Sequence, residues 1–298
     1  MRLAAIDIGS NAARLLISEV VKTSGSPPEF NKLNLVRVPL RLGFDVFEYK
    51  KILPAKQEMI IQTLNAYKYL LAVYDVKHYK ACATSAMRDA TNAAEVLQRI
   101  KEDTGILVEV ISGEEEAAVI YESHIAENLN RDHPYLYIDV GGGSTELTLF
   151  YDNQMIFKES FDIGTIRLLK NQVTELQWNK LKDFIRDKTK SYKNLVAIGT
   201  GGNINKVFSM SKKKDGKPLS FEMLKDYYKE FNSVPLYQRM KLYSLREDRA
   251  DVIVPALLIY VNVMRWAEAD EIFVPKIGLA DGLIQHLYKE LMMQEMEM

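Results

Sequence analysis

One pattern occurs twice in this chain. Ala4-Ala5-Ile6-Asp7-Ile8-Gly9-Ser10-Asn11 is the first copy, and Leu136-Tyr137-Ile138-Asp139-Val140-Gly141-Gly142-Gly143-Ser144-Thr145 is the second. In each, an apolar run ends near an Asp, breaks into a Gly/Ser turn, and resumes as another apolar run, Ala13–Val20 and Glu146–Phe150. A strand–turn–strand of this kind aims a carboxylate and several backbone N–H groups at one point. Such N–H nests bind phosphate oxygens, and the Asp can hold a cation that neutralises them. Two copies, 132 residues apart from Asp7 to Asp139, point to a duplicated architecture with one phosphate clamp between its halves.

The 298 residues suffice for one large domain or two of ordinary size. The 39 basic and 40 acidic side chains leave a net charge of −1, which argues against a general nucleic-acid binder, though a local basic groove stays open. The only cysteine, Cys82, falls in the apolar run Tyr79–Ala83. That excludes an intrachain disulfide framework and predicts a buried, inert thiol. Arg2 is followed by only a short apolar run before Asp7, so no signal peptide is expected. The longest apolar run, Val252–Met264, contains Pro255 and Asn262. It falls short of the roughly 20 residues needed to span a membrane and reads as a buried helix. A cytoplasmic protein without membrane contact is the default expectation.

Mixed strand and helix patterns indicate an α/β fold. Thr23–Pro28 reads as a hairpin turn before a strand at Leu33–Leu40. Pro54 starts an amphipathic helix to about Val76, and a helix at about Asn92–Asp103 is closed by Gly105. The polar stretch Glu127–His133 is taken as the boundary between an N-terminal domain, 1–126, and a C-terminal domain, 127–298. The second half adds strands at Tyr135–Val140, Glu146–Phe150, Met155–Phe161, Leu195–Gly199 and Glu271–Val274. Helices are expected at about Gln177–Ser191, Ser220–Phe231, Pro235–Ser244 and Asp248–Trp266.

Several residues carry candidate chemistry. A single Asp at a strand end could merely form an Asx turn; two, each followed by Gly and Ser, favour phosphate or cation binding. Gly141, Gly142 and Gly143 let backbone close on a ligand without Cβ obstruction. Ser144 and Thr145 add hydroxyl donors, and Glu146 adds a carboxylate close to Asp139. Ser112 and Glu115 have capping-box spacing, which leaves Glu114 and Glu116 in the first turn of a helix. The dipole there favours ionised carboxylates, as a general base requires, and Glu116 is taken as the candidate. The same glutamates could simply complement the dipole. Arg88 follows a strand and a Thr-Ser turn, where its guanidinium could grip phosphate in a fork or pair with Asp89 or Glu95. Gly199-Thr200-Gly201-Gly202 ends a strand before a helical segment, a weak anion-site signal. His78, His124, His133 and His286 show no metal-ligand spacing.

Together, these stretches resemble the exopolyphosphatase/guanosine pentaphosphate phosphohydrolase (Ppx/GppA) family of the actin-like ATPase superfamily. The resemblance extends through Arg41-Leu42-Gly43, Ala83–Arg88, Ile111–Ala117, Ile138–Leu147 and Ile163–Leu168. It continues through Gly199–Gly202, Arg249-Ala250-Asp251 and Gly278–Gly282. It implies two actin-like (ribonuclease H-like) domains with mixed central sheets flanked by helices and an active site in the interdomain cleft, with the terminal helix free to pack back on the first domain. It implies hydrolysis of terminal phosphate from inorganic polyphosphate, or of the 5′ γ-phosphate of guanosine pentaphosphate, and it allows a homodimer. The family's base maps to Glu116 and its arginines to Arg88 and Arg249. Its acidic residues near Mg²⁺ map to Asp7, Asp139 and Glu146. Phosphate would be cradled by Ser10, Asn11, Gly141, Gly142, Gly143, Ser144, Thr145, Gly201 and Gly202. The chain departs from the family pattern at Asn203, Ala256, Pro275-Lys276 and Ala280. The departures near the last strand favour polyphosphate over the nucleotide. An ATP-dependent kinase of the same fold and a non-catalytic sensor of guanosine tetra- or pentaphosphate are the competing readings.

Overall fold

The computed structural model describes residues 1–23, 25–113, 115–116, 118–119, 133–152, 154–214, 216–275 and 278–297. The chain packs as two units, Met1–Ala126 with Ile277–Met298, and Glu127–Lys276. The polar stretch expected to form the boundary lies almost wholly outside the described residues.

Unit 1 is built on five strands: β1 (Arg2–Ile8), β2 (Ala13–Val21), β3 (Glu29–Val38), β4 (His78–Ala83) and β5 (Glu109–Val110), in the order β3-β2-β1-β4-β5. The first three pair antiparallel as a meander, while β4 and β5 continue the sheet in parallel to β1. Unit 2 repeats the scheme with β6 (Tyr135–Val140), β7 (Thr145–Tyr151), β8 (Gln154–Phe161), β9 (Val196–Thr200), β10 (Leu219–Ser220) and β11 (Glu271–Phe273). Its order is β8-β7-β6-β9-β11, with β10 added at the edge, and the same strands are antiparallel and parallel. The duplication of the Asp-Gly turn is therefore a duplication of two mixed α/β sheets.

Most expected elements are present within two or three residues. Gly105 closes the helix Ala93–Thr104 in the left-handed region at φ 73°, as a C-terminal glycine can without a Cβ penalty. The single helix expected over Asp248–Trp266 is two, Glu247–Ala250 and Ile253–Trp266. Pro255 has no N–H to donate, so it fits the first turn of the second helix and would break a longer one. The helix Leu42–Tyr49 was not expected, because its N-terminal boundary is Arg41, a non-glycine residue at φ 55°. Ile253–Trp266 is buried along Ala256, Leu257, Tyr260, Val261 and Met264, in the core of unit 2. Trp178 and Trp266 meet edge-on at 5.9 Å as part of the packing around that core.

In unit 1 the terminal helix Leu279–Glu297 packs Leu283, Ile284 and Leu287 onto Leu3, Ala5 and Leu16. Gly282 permits a close approach there: a Cβ would stand 2.5 Å from the Val119 carbonyl oxygen. Lys32 pairs with Asp281 at 2.7 Å, and Asp281 accepts the Gly278 N–H at 2.9 Å. Among the described residues, no helix is long and apolar enough to cross a membrane.

Cys82 is buried on β4, as its sequence context predicts. Burial pushes its thiol from an ordinary 9.0 up to about 12, with help from nearby Glu109 and Asp7 charges. Its contribution to stability is constant below pH 9 and is lost as pH rises toward 12, because the unfolded thiol ionises first. At pH 8 the native chain should react with an aromatic disulfide reagent only after urea unfolding. Rapid labelling of the native protein would overturn this assignment.

Candidate functional site

The site in unit 2 starts with the turn between β6 and β7. Gly141 N–H donates to Ser144 O at 2.9 Å and closes the loop. The three carbonyls that follow are all tied to one segment. Gly141 O accepts from Thr165 N at 3.0 Å, Gly142 O from Ile166 N at 2.9 Å, and Gly143 O from Arg167 Nε at 2.8 Å. In a planar trans peptide the N–H points opposite to the C=O. With the carbonyls turned toward residues 165–167, the N–H groups of Gly142, Gly143 and Ser144 turn the other way. None of the three donates a hydrogen bond among the described residues. Three N–H groups turned to one side of a loop form the arrangement that an anion nest requires.

Gly164 makes the tether possible. A Cβ there would lie 2.4 Å from Gly142 O, far inside contact distance. Thr145 is fully buried and donates its hydroxyl to Ile163 O at 2.6 Å. This corrects the expectation that Thr145 offers a hydroxyl to phosphate: it fastens the tether instead. Ser144 Oγ donates to Glu146 Oε1 at 2.5 Å, so its backbone N–H, not its hydroxyl, is directed to the nest.

Unit 1 uses the same construction. Gly9 N–H closes on Ala12 O at 3.0 Å, while Ser10 O accepts from Gly43 N at 2.8 Å and Asn11 O from Arg41 N at 2.9 Å. Ser10 Oγ lies 2.7 Å from Ser85 Oγ, which ties this turn to the short helix Ser85–Asp89 that carries Arg88. Arg88 Nη1 donates to Ile111 O at 3.2 Å and is otherwise exposed. Next in sequence is the capping box read from the sequence: Ser112 N–H donates to Glu115 and Glu115 N–H to Ser112 Oγ, at 2.7 and 3.1 Å. Glu115 is committed to the cap, and Glu116, one residue on, is half-buried and helical. The structure thus brings Arg88 to the segment that carries Glu116. Glu114 lies outside the described residues.

Strand register sets the charges. Asp7 faces Arg14 on β2 and Cys82 on β4. Arg14 Nη1 donates to Asp7 Oδ2 at 2.9 Å, and Asp7 is 3% exposed. Burial pushes the Asp7 carboxyl above its ordinary range, against the pull of Arg14. In unit 2, Asp139 faces Glu146 on β7 and Thr200 on β9. Glu146 is buried, and its Oε1 accepts from Ser144 Oγ and from Ser160 Oγ at 3.1 Å. Two facing carboxylates, one of them oriented by two serine hydroxyls, offer the hard oxygen donors that Mg²⁺ prefers. Among the described residues no three acidic, His or Cys side chains gather as a cage, so an ion on this pair would keep several waters. Asp7 fits such an ion less well, because the protein already supplies its counter-charge.

Gly201 and Gly202 complete the unit 2 site. Gly201 has φ 110°, and a Cβ on it would stand 3.2 Å from Asp139 Oδ1 and 3.7 Å from the Tyr260 hydroxyl. The Tyr260 hydroxyl donates to Thr200 O. Burial, and then the Asp139 charge, hold that phenol well above its ordinary range. Arg249, on Glu247–Ala250, donates through Nη1 to Gly202 O and, at 3.3 Å, to Asn203 Oδ1. Arg249 is therefore placed at the glycine turn, and Asn203 contributes to holding it there. Lys276 lies outside the described residues.

Sequence reasoning gave no role to Arg14, Gly164, Arg167, Ser85 or Tyr260. Arg14 was available in principle, since seven residues across a tight turn make it the cross-strand partner of Asp7. Tyr260 carried no local signal.

A sequence model of the Ppx/GppA phosphatase family matches residues 20–291. Guanosine-5'-triphosphate,3'-diphosphate pyrophosphatase of Vibrio vulnificus is 26% identical over 301 residues, covering 97% of this chain and 59% of its own. Exopolyphosphatase 2 of Mycobacterium tuberculosis is 32% identical over 173 residues, 56% of this chain and 53% of its own. The crystal structure of the Aquifex aeolicus Ppx/GppA family member superposes with a TM-score of 0.75 at 28% identity, covering 97% of this chain and 98% of that one. The chain spans about half the length of the curated relatives it matches.

The tether predicts an asymmetric response to added methyl groups. Gly164→Ala should destabilise by about 1–3 kcal/mol in urea unfolding, as overpacking does. Gly9→Ala, whose Cβ would meet Ala12 O at an ordinary 3.4 Å, should change stability much less. Equal effects would refute the tether as drawn.

Proposed function

The chain belongs to the Ppx/GppA phosphatase family, and on that premise we propose that it is a phosphoanhydride hydrolase that removes terminal phosphate from inorganic polyphosphate. The observation that carries this reading is the tethered loop: three carbonyls held from behind leave the N–H groups of Gly142, Gly143 and Ser144 for phosphate oxygens. Phosphoryl transfer asks the protein mainly for positioning and charge, and such a nest supplies both.

The roles divide by chemistry. Asp139 and Glu146 would hold Mg²⁺, and Ser144 and Ser160 orient the Glu146 carboxylate from outside. When bound, the ion supplies positive charge that offsets the negative oxygens of the phosphate chain. Arg88 in unit 1 and Arg249 in unit 2 each offer guanidinium charge suited to phosphate oxygens. The Ser112–Glu115 cap leaves Glu116 to accept a proton from the attacking water. Asp7, matched by Arg14, shapes the first loop without adding net charge.

The lean toward polyphosphate comes from the sequence departures at Pro275-Lys276 and Ala280, near the last strand. Guanosine pentaphosphate is the alternative substrate. Its support is the similarity to the pyrophosphatase of Vibrio vulnificus, whose name gives a guanosine substrate.

The test compares phosphate release from long-chain polyphosphate, guanosine pentaphosphate and ATP, with and without Mg²⁺. Polyphosphate should turn over fastest and need the metal. Glu116→Gln should lower turnover roughly 100-fold or more while leaving the melting temperature in place. Undiminished release by that variant removes Glu116 as the base, and tight binding without turnover of any of the three would favour a sensor.

A further inference from the structure

Thr200 is the last residue of β9, and its register partner on β6 is Asp139. Asp139 is in turn the register partner of Glu146. Partners on adjacent strands share a sheet face. Glu146, Asp139 and Thr200 therefore form one row across β7, β6 and β9.

Thr200 is 1% exposed, and its hydroxyl Oγ1 has no hydrogen-bond partner among the described residues. Its backbone, by contrast, is fixed: Thr200 O accepts from the buried Tyr260 hydroxyl. A buried hydroxyl without a partner carries an uncompensated desolvation cost of roughly 1–3 kcal/mol. Native proteins rarely tolerate that, unless a ligand or water completes the bond.

What could complete it is set by the neighbours. One strand over stands Asp139, with Glu146 beyond it, and adjacent strands are about 4.8 Å apart. Cross-strand partners at that spacing can bond directly, as Asp7 and Arg14 do at 2.9 Å, but the Thr200 hydroxyl makes no such bond to Asp139, and a hydrated cation can bridge the two. Mg²⁺ on a carboxylate pair keeps several of its waters, each needing an acceptor or donor partner. Next in the chain, Gly201 lets Asp139 approach this end of β9, since a Cβ there would stand 3.2 Å from Asp139 Oδ1.

We propose that the Thr200 hydroxyl is a third member of the cation site, binding a water of the divalent ion held by Asp139 and Glu146. This rests on the cation reading of that pair under the proposed function. In this site Thr200 is a positioning residue for the hydrated ion, and it acts without touching the phosphate.

The experiment uses the full chain and Mn²⁺ or Mg²⁺ alone, read by calorimetric titration and by melting temperature. Thr200→Val keeps the shape and removes the hydroxyl. It should leave the metal-free melting temperature unchanged or slightly raised, and weaken metal binding roughly 10-fold or more, as loss of an outer-shell partner does. Thr200→Ser should restore binding, and Glu146→Gln should weaken it at least as much as Thr200→Val. If Thr200→Val binds metal like the parent while Glu146→Gln does not, the inference falls and the cation reading stands. If the parent binds no divalent ion, both fall together. A metal-free melting temperature lowered in Thr200→Val, with metal affinity intact, would make the hydroxyl structural. Unchanged metal binding with a weakened response to inorganic phosphate would move the hydroxyl to the anion nest and overturn the proposal.

Discussion

The arrangement of each half rests on backbone carbonyls being held from behind. A glycine-rich turn has no intrinsic reason to present its N–H groups outward, because glycine samples both hands of conformational space. Here the choice is made by the segment that follows the hairpin. Residues 165–167 take the carbonyls of Gly141, Gly142 and Gly143, and residues 41 and 43 take those of Asn11 and Ser10. Peptide planarity converts those bonds into a fixed direction for the opposite N–H groups. The hairpin β7–β8 is then a lever: its length and register bring Gly164 to the one place where it can touch Gly142 without a side chain.

This explains why the two loops, which differ in sequence, close in the same way. Gly9-Ser10-Asn11-Ala12 and Gly141-Gly142-Gly143-Ser144 share only their first residue type. Both close with an N–H to the carbonyl three residues on, at 3.0 and 2.9 Å, and both are anchored by backbone amides of the segment after the third strand. The common element is topology, strand order and the point at which the chain returns, more than the glycines themselves.

Much of this was legible in the sequence because it is local. β6 was read to the residue, and the Ser112–Glu115 box forms as its spacing requires. What escaped was long-range or rule-breaking. The helix Leu42–Tyr49 hides behind Arg41, whose left-handed backbone nothing in the local pattern announces. The role of Thr145 depends on Ile163, 18 residues away, and a strand-end threonine looks the same whether its hydroxyl faces a ligand or a carbonyl. Tyr260 reaches Thr200 across 60 residues, which only the packing of Ile253–Trp266 on its own sheet determines. The candidate residues were thus found by type and spacing, while their partners had to come from register.

Register also separates the two halves in charge. The position opposite the strand-end aspartate is Arg14 in unit 1 and Glu146 in unit 2. In the first, a guanidinium 2.9 Å away compensates a carboxylate that burial would otherwise penalise. In the second, the neighbour is another carboxylate, itself buried and held by two serine hydroxyls. Adjacent carboxylates gain by taking up a proton or a cation. A duplicated turn has in this way been given different electrostatics by one cross-strand substitution: one copy sets an arginine opposite its aspartate, and the other sets a second carboxylate there, a pair complementary to a positive ion. That difference, and not the shared Asp-Gly pattern, is what would make unit 2 the half that organises charge on a phosphate chain.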